Sequence, residues 1–213
     1  MAGMRQDSPY VITISRQIGS GGAYVGRRLA TRLGISYVDR EIIQQTAQRL
    51  NISENAIASR DERVTTTWRT LLEASANKNQ QNYVPPPINI PTDNELYQAE
   101  AAIILDIAKQ TSAVIIGRGG NHILRGNPRH LSVFLHADIA FRQQRVQALY
   151  HLSAARALGI IHQSDESREG YIHMLTGGDW ANARQYNLCL DTGVLGYERA
   201  VDIILAAAHA RFA

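Results

Sequence analysis

The sequence is poor in cysteine, in lysine and in long apolar runs, and each shortage narrows what the chain can be. One cysteine among 213 residues, Cys189, excludes an intramolecular disulfide and leaves no thiol framework for a metal. It lies in the apolar stretch YNLCLD, where a small thiol is expected to be a buried core residue. A reducing, cytoplasmic setting fits that usage. No apolar run reaches the ~18 residues that a membrane helix needs. The opening MAGMRQDSP has neither an apolar core nor a cleavage pattern, so residues 1–9 read as a disordered leader and not as a signal peptide. No internal repeat is present, and His122, His130, His136 and His173 show no metal-ligand spacing. No stripe of basic and aromatic residues marks a nucleic-acid surface. A membrane and a nucleic acid are therefore not expected, and no Cys or His set marks a metal site.

Lysine occurs at Lys78 and Lys109 alone. Every other basic residue is arginine, whose planar fork binds phosphate oxygens bidentately where lysine is a point charge. What is present is ordinary for a globular chain. With 45% hydrophobic and 19% charged residues, it can build one sizeable core over residues 10–213.

Periodicity divides that domain. Tyr10–Ser15 is a short β-branched run leading to glycines, a buried strand by composition. Gly22–Leu33 sets Val25, Leu29 and Leu33 on one helical face with Arg27, Arg28 and Arg32 outside, and Gly34 stands where a C-terminal glycine cap belongs. Ile35–Val38, Ala113–Ile116, Leu131–His136 and Tyr186–Asp191 come next as strands. Arg142–Leu152, Glu166–Leu175 and Tyr197–Ala210 read as helices, and Asp39 can cap a helix through Ile42, Ile43 and Ala47. Such alternation implies a parallel sheet covered on both faces. Between Ile52 and Lys109 the strands give way to two helical stretches, Arg63–Ala76 and Asn94–Lys109. The long connector between them contains VPPP, which favours an extended spacer. GGDW, ending at Trp180, reads as a turn with an aromatic anchor.

An apolar run, a glycine cluster and a basic helix stand in that order in VITISRQIGSGGAYVGRRLATRLG. Unpaired N–H groups at a helix start attract anions, and glycines let the backbone approach an oxygen closely. Gly19, Ser20, Gly21, Gly22 and Ala23 are thus a candidate phosphate loop. A dinucleotide fingerprint would use Gly19 and Gly21, with Asp39 as its acid, but Tyr24 holds the third glycine place, where a ring would obstruct helix–sheet packing. A Walker loop would use Gly21, but Arg16 holds its first glycine place and Gly22 replaces its lysine.

Later stretches add to this loop. VIIGRGGNHILRG puts Arg118 directly after a strand, SDESREGYIHM carries Asp165, Arg168 and Tyr171, and YNLCLDT closes the sheet. Together with ISRQIGSGG this ordered set resembles the cytidylate kinase-like proteins, a branch of the P-loop nucleoside monophosphate kinases, from about Val11 to Leu205. The resemblance implies a three-layer α/β fold: a five-stranded parallel sheet with helices on both faces, a helical acceptor-binding insertion at about 45–100 and a lid at about 150–180. Arg118 matches the arginine that holds the acceptor phosphate in cytidylate kinases, although the acid that stands after it there is Gly119 here. Asp39 lies where their acceptor-binding segment begins, and Asp165 with Arg168 resembles part of their lid element.

The same resemblance implies ATP-dependent phosphoryl transfer to a nucleoside monophosphate, cytidylate-like, with Mg²⁺. N–H groups from Gly19 to Ala23 would cradle the donor phosphates, and Ser20 or a water held by Asp39 would replace the absent metal-side hydroxyl. Arg16 would supply the cation that Gly22 lacks, and Arg168 would close on the transferring group. The missing lysine leaves a catalytically weak or inactive nucleotide-binding or sensing protein as the rival reading. An NAD-dependent enzyme is a further alternative, and an RNA-binding domain ranks last.

Overall fold

The computed structural model describes residues 8–39 and 94–213. The first seven residues of the leader, the helix that Asp39 would cap, the expected helix Arg63–Ala76, the VPPP spacer and most of the insertion lie outside the described residues.

Five strands form one parallel sheet: β1 (Val11–Arg16), β2 (Ser36–Val38), β3 (Ala113–Ile116), β4 (His130–His136) and β5 (Leu188–Asp191), in the order β2-β3-β1-β4-β5. Dinucleotide-binding sheets place the second strand beside the first; here β3 takes that place. Helices α1 (Gly22–Leu33), α2 (Asn94–Gln110), α3 (Gly120–Ile123), α4 (Ile139–Tyr150), α5 (Ala154–Thr176), α6 (Thr192–Leu195) and α7 (Tyr197–Phe212) complete the described chain.

The alternation of β1 sorts its side chains between two layers. Ile12 and Ile14 join Val114, Ile116, Val133 and Leu135 under Val25 and Leu29 of α1 and Val201, Ile204 and Phe212 of α7. Val11 points the other way, with Ala113 and Ile115, toward Ile103, Ile104 and Ile107 of α2. Farther along that second face Phe134 packs with Ile172 of α5, Trp180 and Tyr186. Trp180 meets Phe134 edge-on at 5.3 Å, so the expected aromatic anchor is in place.

Two helices start earlier than their apolar periodicity suggests, because polar caps set their first turns. Asp138 accepts a bond from Phe141 N (2.9 Å) and begins α4 at Ile139. Ser153 caps α5, which runs 23 residues, so the expected Glu166–Leu175 is only its second half. Cys189 corrects an expectation: it is exposed. β5 is an edge strand, paired with β4 on one side only.

One buried polar pair has a consequence for stability. His130 Nε2 lies 2.8 Å from Thr13 Oγ1 inside the sheet, and burial pushes its pKa down from 6.5 to about 4. The unfolded chain takes a proton on this histidine near pH 6.5 while the folded one refuses it until about pH 4. Stability from this group therefore falls as pH drops through that window, by up to about 3 kcal/mol once both states are charged. Urea midpoints between pH 7 and 4.5 should fall more steeply for the native sequence than for His130→Gln.

Candidate active site

The C-terminal ends of β1, β2 and β3 place the glycine loop, Arg16, Asp39 and Arg118 along one edge of the sheet, the edge at which open parallel sheets bind ligands. The loop between β1 and α1 is fixed from below. Gln17 N donates to Leu135 O (3.0 Å), and Ser20 Oγ donates to Gln17 O (2.8 Å) and Leu135 O (3.1 Å). Gly19 and Gly21 have φ of 85° and 79°, left-handed values that glycine adopts without strain. Gly21 is the N-cap of α1, which has no side-chain cap and no acid in its first turn. The positive end of the α1 dipole therefore meets no acidic side chain in its own first turn.

Two expectations about this loop need correction. The Ser20 hydroxyl is buried and turned to two carbonyls, so its oxygen does not face a metal. Tyr24 does not obstruct helix–sheet packing: its ring is partly exposed and its hydroxyl donates to Glu198 Oε1 (2.7 Å). Close packing rests instead on Gly26, where a Cβ would lie 2.6 Å from Ile116 Cδ1.

Arg16 explains Gly22. A Cβ on Gly22 would lie 2.6 Å from Arg16 Cγ and 2.9 Å from its Cβ, and a Cβ on Gly117 would fall into the Arg16 guanidinium. The side chain therefore leaves the end of β1, crosses the first residue of α1 and ends over the turn after β3. A positive charge stands across the place that a Walker lysine would occupy, and two glycines make room for it. Neither Gly117 nor this reciprocity is evident from spacing alone.

Asp39, the residue after β2, is buried, with Arg27 Nη2 at 3.5 Å from its Oδ2. Arg27 also lies over the Tyr37 ring at 4.4 Å. Burial first, and then the charge of Asp39, hold the Tyr37 hydroxyl protonated.

Arg118 follows β3 and Gly117 with φ 56°, an uncommon value for a side-chain-bearing residue. Its guanidinium is buried against Glu100 of α2, whose carboxylate accepts from Nη2, and it stands 5.9 Å from the Tyr171 ring. Arg118 Nε and both amide atoms of Asn121 are buried without a hydrogen-bond partner. Glu100 is not visible as a site residue in the sequence, since only the chain's path brings α2 to the turn after β3.

Asp165 and Arg168 meet the glycine loop through Arg142. Arg142 is 3% exposed; its Nε donates to Ile18 O (2.9 Å) and its Nη2 to Asp165 Oδ2 (2.7 Å). Arg168 Nη1 donates to Ser164 Oγ (2.6 Å) and lies 4.0 Å from Asp165 Oδ1. Arg142 is therefore structural to the loop, a role that helical spacing alone does not distinguish from surface charge. Tyr197 also belongs here, because its ring occupies the space that a Cβ on Gly21 would need.

No helix among the described residues is long and apolar enough to cross a membrane. No curated protein matches the chain. Among solved structures, an uncharacterized protein from Eubacterium ventriosum superposes with a TM-score of 0.71 at 22% identity, over 95% of this chain and 99% of that one. A gluconokinase from Sinorhizobium meliloti gives 0.52 at 16% identity, over 95% and 93%. Shikimate kinase from Acinetobacter baumannii gives 0.51 at 13% identity, over 98% of each chain. These likenesses show a kinase-like α/β fold. The sequence match is narrower and spans the glycine loop, the arginine after β3 and the last strand: over residues 11–194 the chain matches, and so belongs to, the cytidylate kinase-like family.

Proposed function

We propose that the protein transfers the γ-phosphoryl group of ATP to a nucleoside monophosphate, with a cytidylate-like acceptor. Its family supports a kinase-type activity. The observation that carries the reading is the uncapped start of α1 with the Arg16 side chain laid across Gly22. Phosphoryl transfer asks a protein mainly for placement and for charge on the transferring group. In this reading N–H groups from Gly19 to Ala23 hold the donor phosphates and Arg16 faces them from the end of β1. Arg118 takes the acceptor phosphate, with Asp39 at the start of the acceptor-binding segment and Arg168 approaching from α5 within a lid at about 150–180.

P-loop kinases generally work with ATP and Mg²⁺. The glycine loop fits the phosphates. It does not fit a protein-held metal: the Ser20 hydroxyl points inward, and the described residues contain no group of His, Cys, Asp or Glu able to hold an ion. Magnesium would arrive on the nucleotide. This absence of a loop hydroxyl favours the second reading, a nucleotide-binding or sensing protein without turnover.

A thermal-shift panel of nucleotides with and without Mg²⁺, combined with product analysis, separates the two. Stabilisation by ATP with diphosphate formed is the expected result; stabilisation without product supports the sensor, and stabilisation by NAD alone removes both.

Arg118→Ala should weaken the monophosphate about 10- to 100-fold and ATP far less, since charge-assisted bonds contribute ~1.5–3 kcal/mol. Because that change removes the guanidinium bonded to the buried Glu100 carboxylate, Arg118→Ala/Glu100→Gln should be titrated beside it. Equal losses for both nucleotides would remove Arg118 from the acceptor side.

A further inference from the structure

The loop that faces the phosphates is joined to α5 by two contacts that no phosphate-binding role requires. Ile18, in the middle of the loop, packs its side chain against the buried cluster of Val146 on α4 and Ala157 and Ile161 on α5. Its carbonyl accepts from Arg142, whose other arm reaches Asp165 on α5. Gly19 lies directly on the Arg142 backbone, since a Cβ there would come 2.8 Å from Arg142 O. Any movement of the loop at Ile18 or Gly19 therefore displaces Arg142.

Asp165 stands between two arginines but satisfies only one fully. Its Oδ2 binds Arg142, whereas Oδ1 is buried without a hydrogen-bond partner, 4.0 Å from Arg168 Nη1. Arg168 bonds Ser164 Oγ instead. A buried carboxylate oxygen left unbonded is costly, and a shift of about an ångström would bring Arg168 onto it at ordinary bonding distance. Such a shift would give Arg168 a second hydrogen-bonded arrangement, with Asp165 shared between it and the loop strut.

We propose that Arg142 and Asp165 are positioning residues: they carry the state of the phosphate loop to α5 and set Arg168 by it. An anion on the loop fixes Ile18 and Arg142, which orients Asp165 and draws Arg168 from Ser164 to Oδ1. The proposal rests on the loop being the phosphate site.

Hydrogen exchange on the full chain, with and without saturating ADP, tests both. Peptides covering residues 17–24 report the loop, and those covering 160–172 report α5. In the native sequence ADP should slow both at least threefold. In Asp165→Asn the loop should keep its slowing and α5 should lose it. Arg142→Met/Asp165→Leu, in which apolar side chains replace the pair without stranding a buried charge, should show the same loss if Asp165→Asn folds poorly. Slowing at the loop alone in the native protein overturns the relay and leaves the phosphate site standing. Equal slowing of α5 in native and variant proteins overturns the part given to Asp165. No slowing at the loop overturns the phosphate site and the relay with it.

Discussion

Arg16→Ala is expected to lower turnover by about 10²–10³, the usual loss when one preorganised charge is taken from an electrostatic site. Arg16→Lys should keep a fraction of the activity, because charge survives while the planar fork does not. The packing adds a sharper expectation. Gly22→Lys in the native background restores a loop lysine, yet its Cβ would lie 2.6 Å from Arg16 Cγ, so this single change should damage the loop. In Arg16→Ala the Cγ and Cδ contacts are gone and only the Cβ at 2.9 Å remains, so the same change is less obstructed there and should recover part of the lost rate. A substitution harmful alone and beneficial in the absence of Arg16 would show that the two residues share one space and one charge. Rates and melting temperatures should be measured together for all four proteins. Unchanged turnover in a folded Arg16→Ala protein would remove Arg16 from the chemistry.

Gly19→Ala is expected to cost ATP about 100-fold in affinity, equivalent to one or two charge-assisted bonds at ~1.5–3 kcal/mol each. Two effects act at this position. Alanine at φ 85° pays a steric cost of about 1–2 kcal/mol. Its Cβ would also sit 2.8 Å from Arg142 O and 2.9 Å from Arg142 Cα, backbone atoms that cannot rotate away. The loop must then lift, and its N–H groups lose their common focus. Gly126→Ala separates the effects. Gly126 has φ 86° with nothing within 4 Å of a Cβ and lies before β4, at the opposite end of the sheet. It should lose about 1 kcal/mol of stability and leave ATP binding intact. Calorimetric titration of both variants checks this. Equal affinities would mean that the loop does not hold the donor phosphates.

Local patterns determined the strands, the glycine loop and the C-terminal cap at Gly34, because β-branched runs, helical stripes and positive-φ glycines act within a few residues. The order of motifs also pointed to the family, which the match over residues 11–194 shows. The starts of α4 at Ile139 and α5 at Ala154 lie ahead of their apolar stripes, because capping depends on one side chain and not on a period. Burial at the sheet edge escapes composition for the same kind of reason: YNLCLD has a core composition, but β5 has a neighbour on one side only, and Cys189 is exposed. What only the tertiary structure decided is how the charges are paired. Glu100 meets Arg118, Arg142 holds Ile18 and Asp165, and Arg16 fills the space above Gly22 and Gly117. Each of these joins residues from different elements, and parallel crossovers bring such residues together at the strand ends without any regular spacing in sequence.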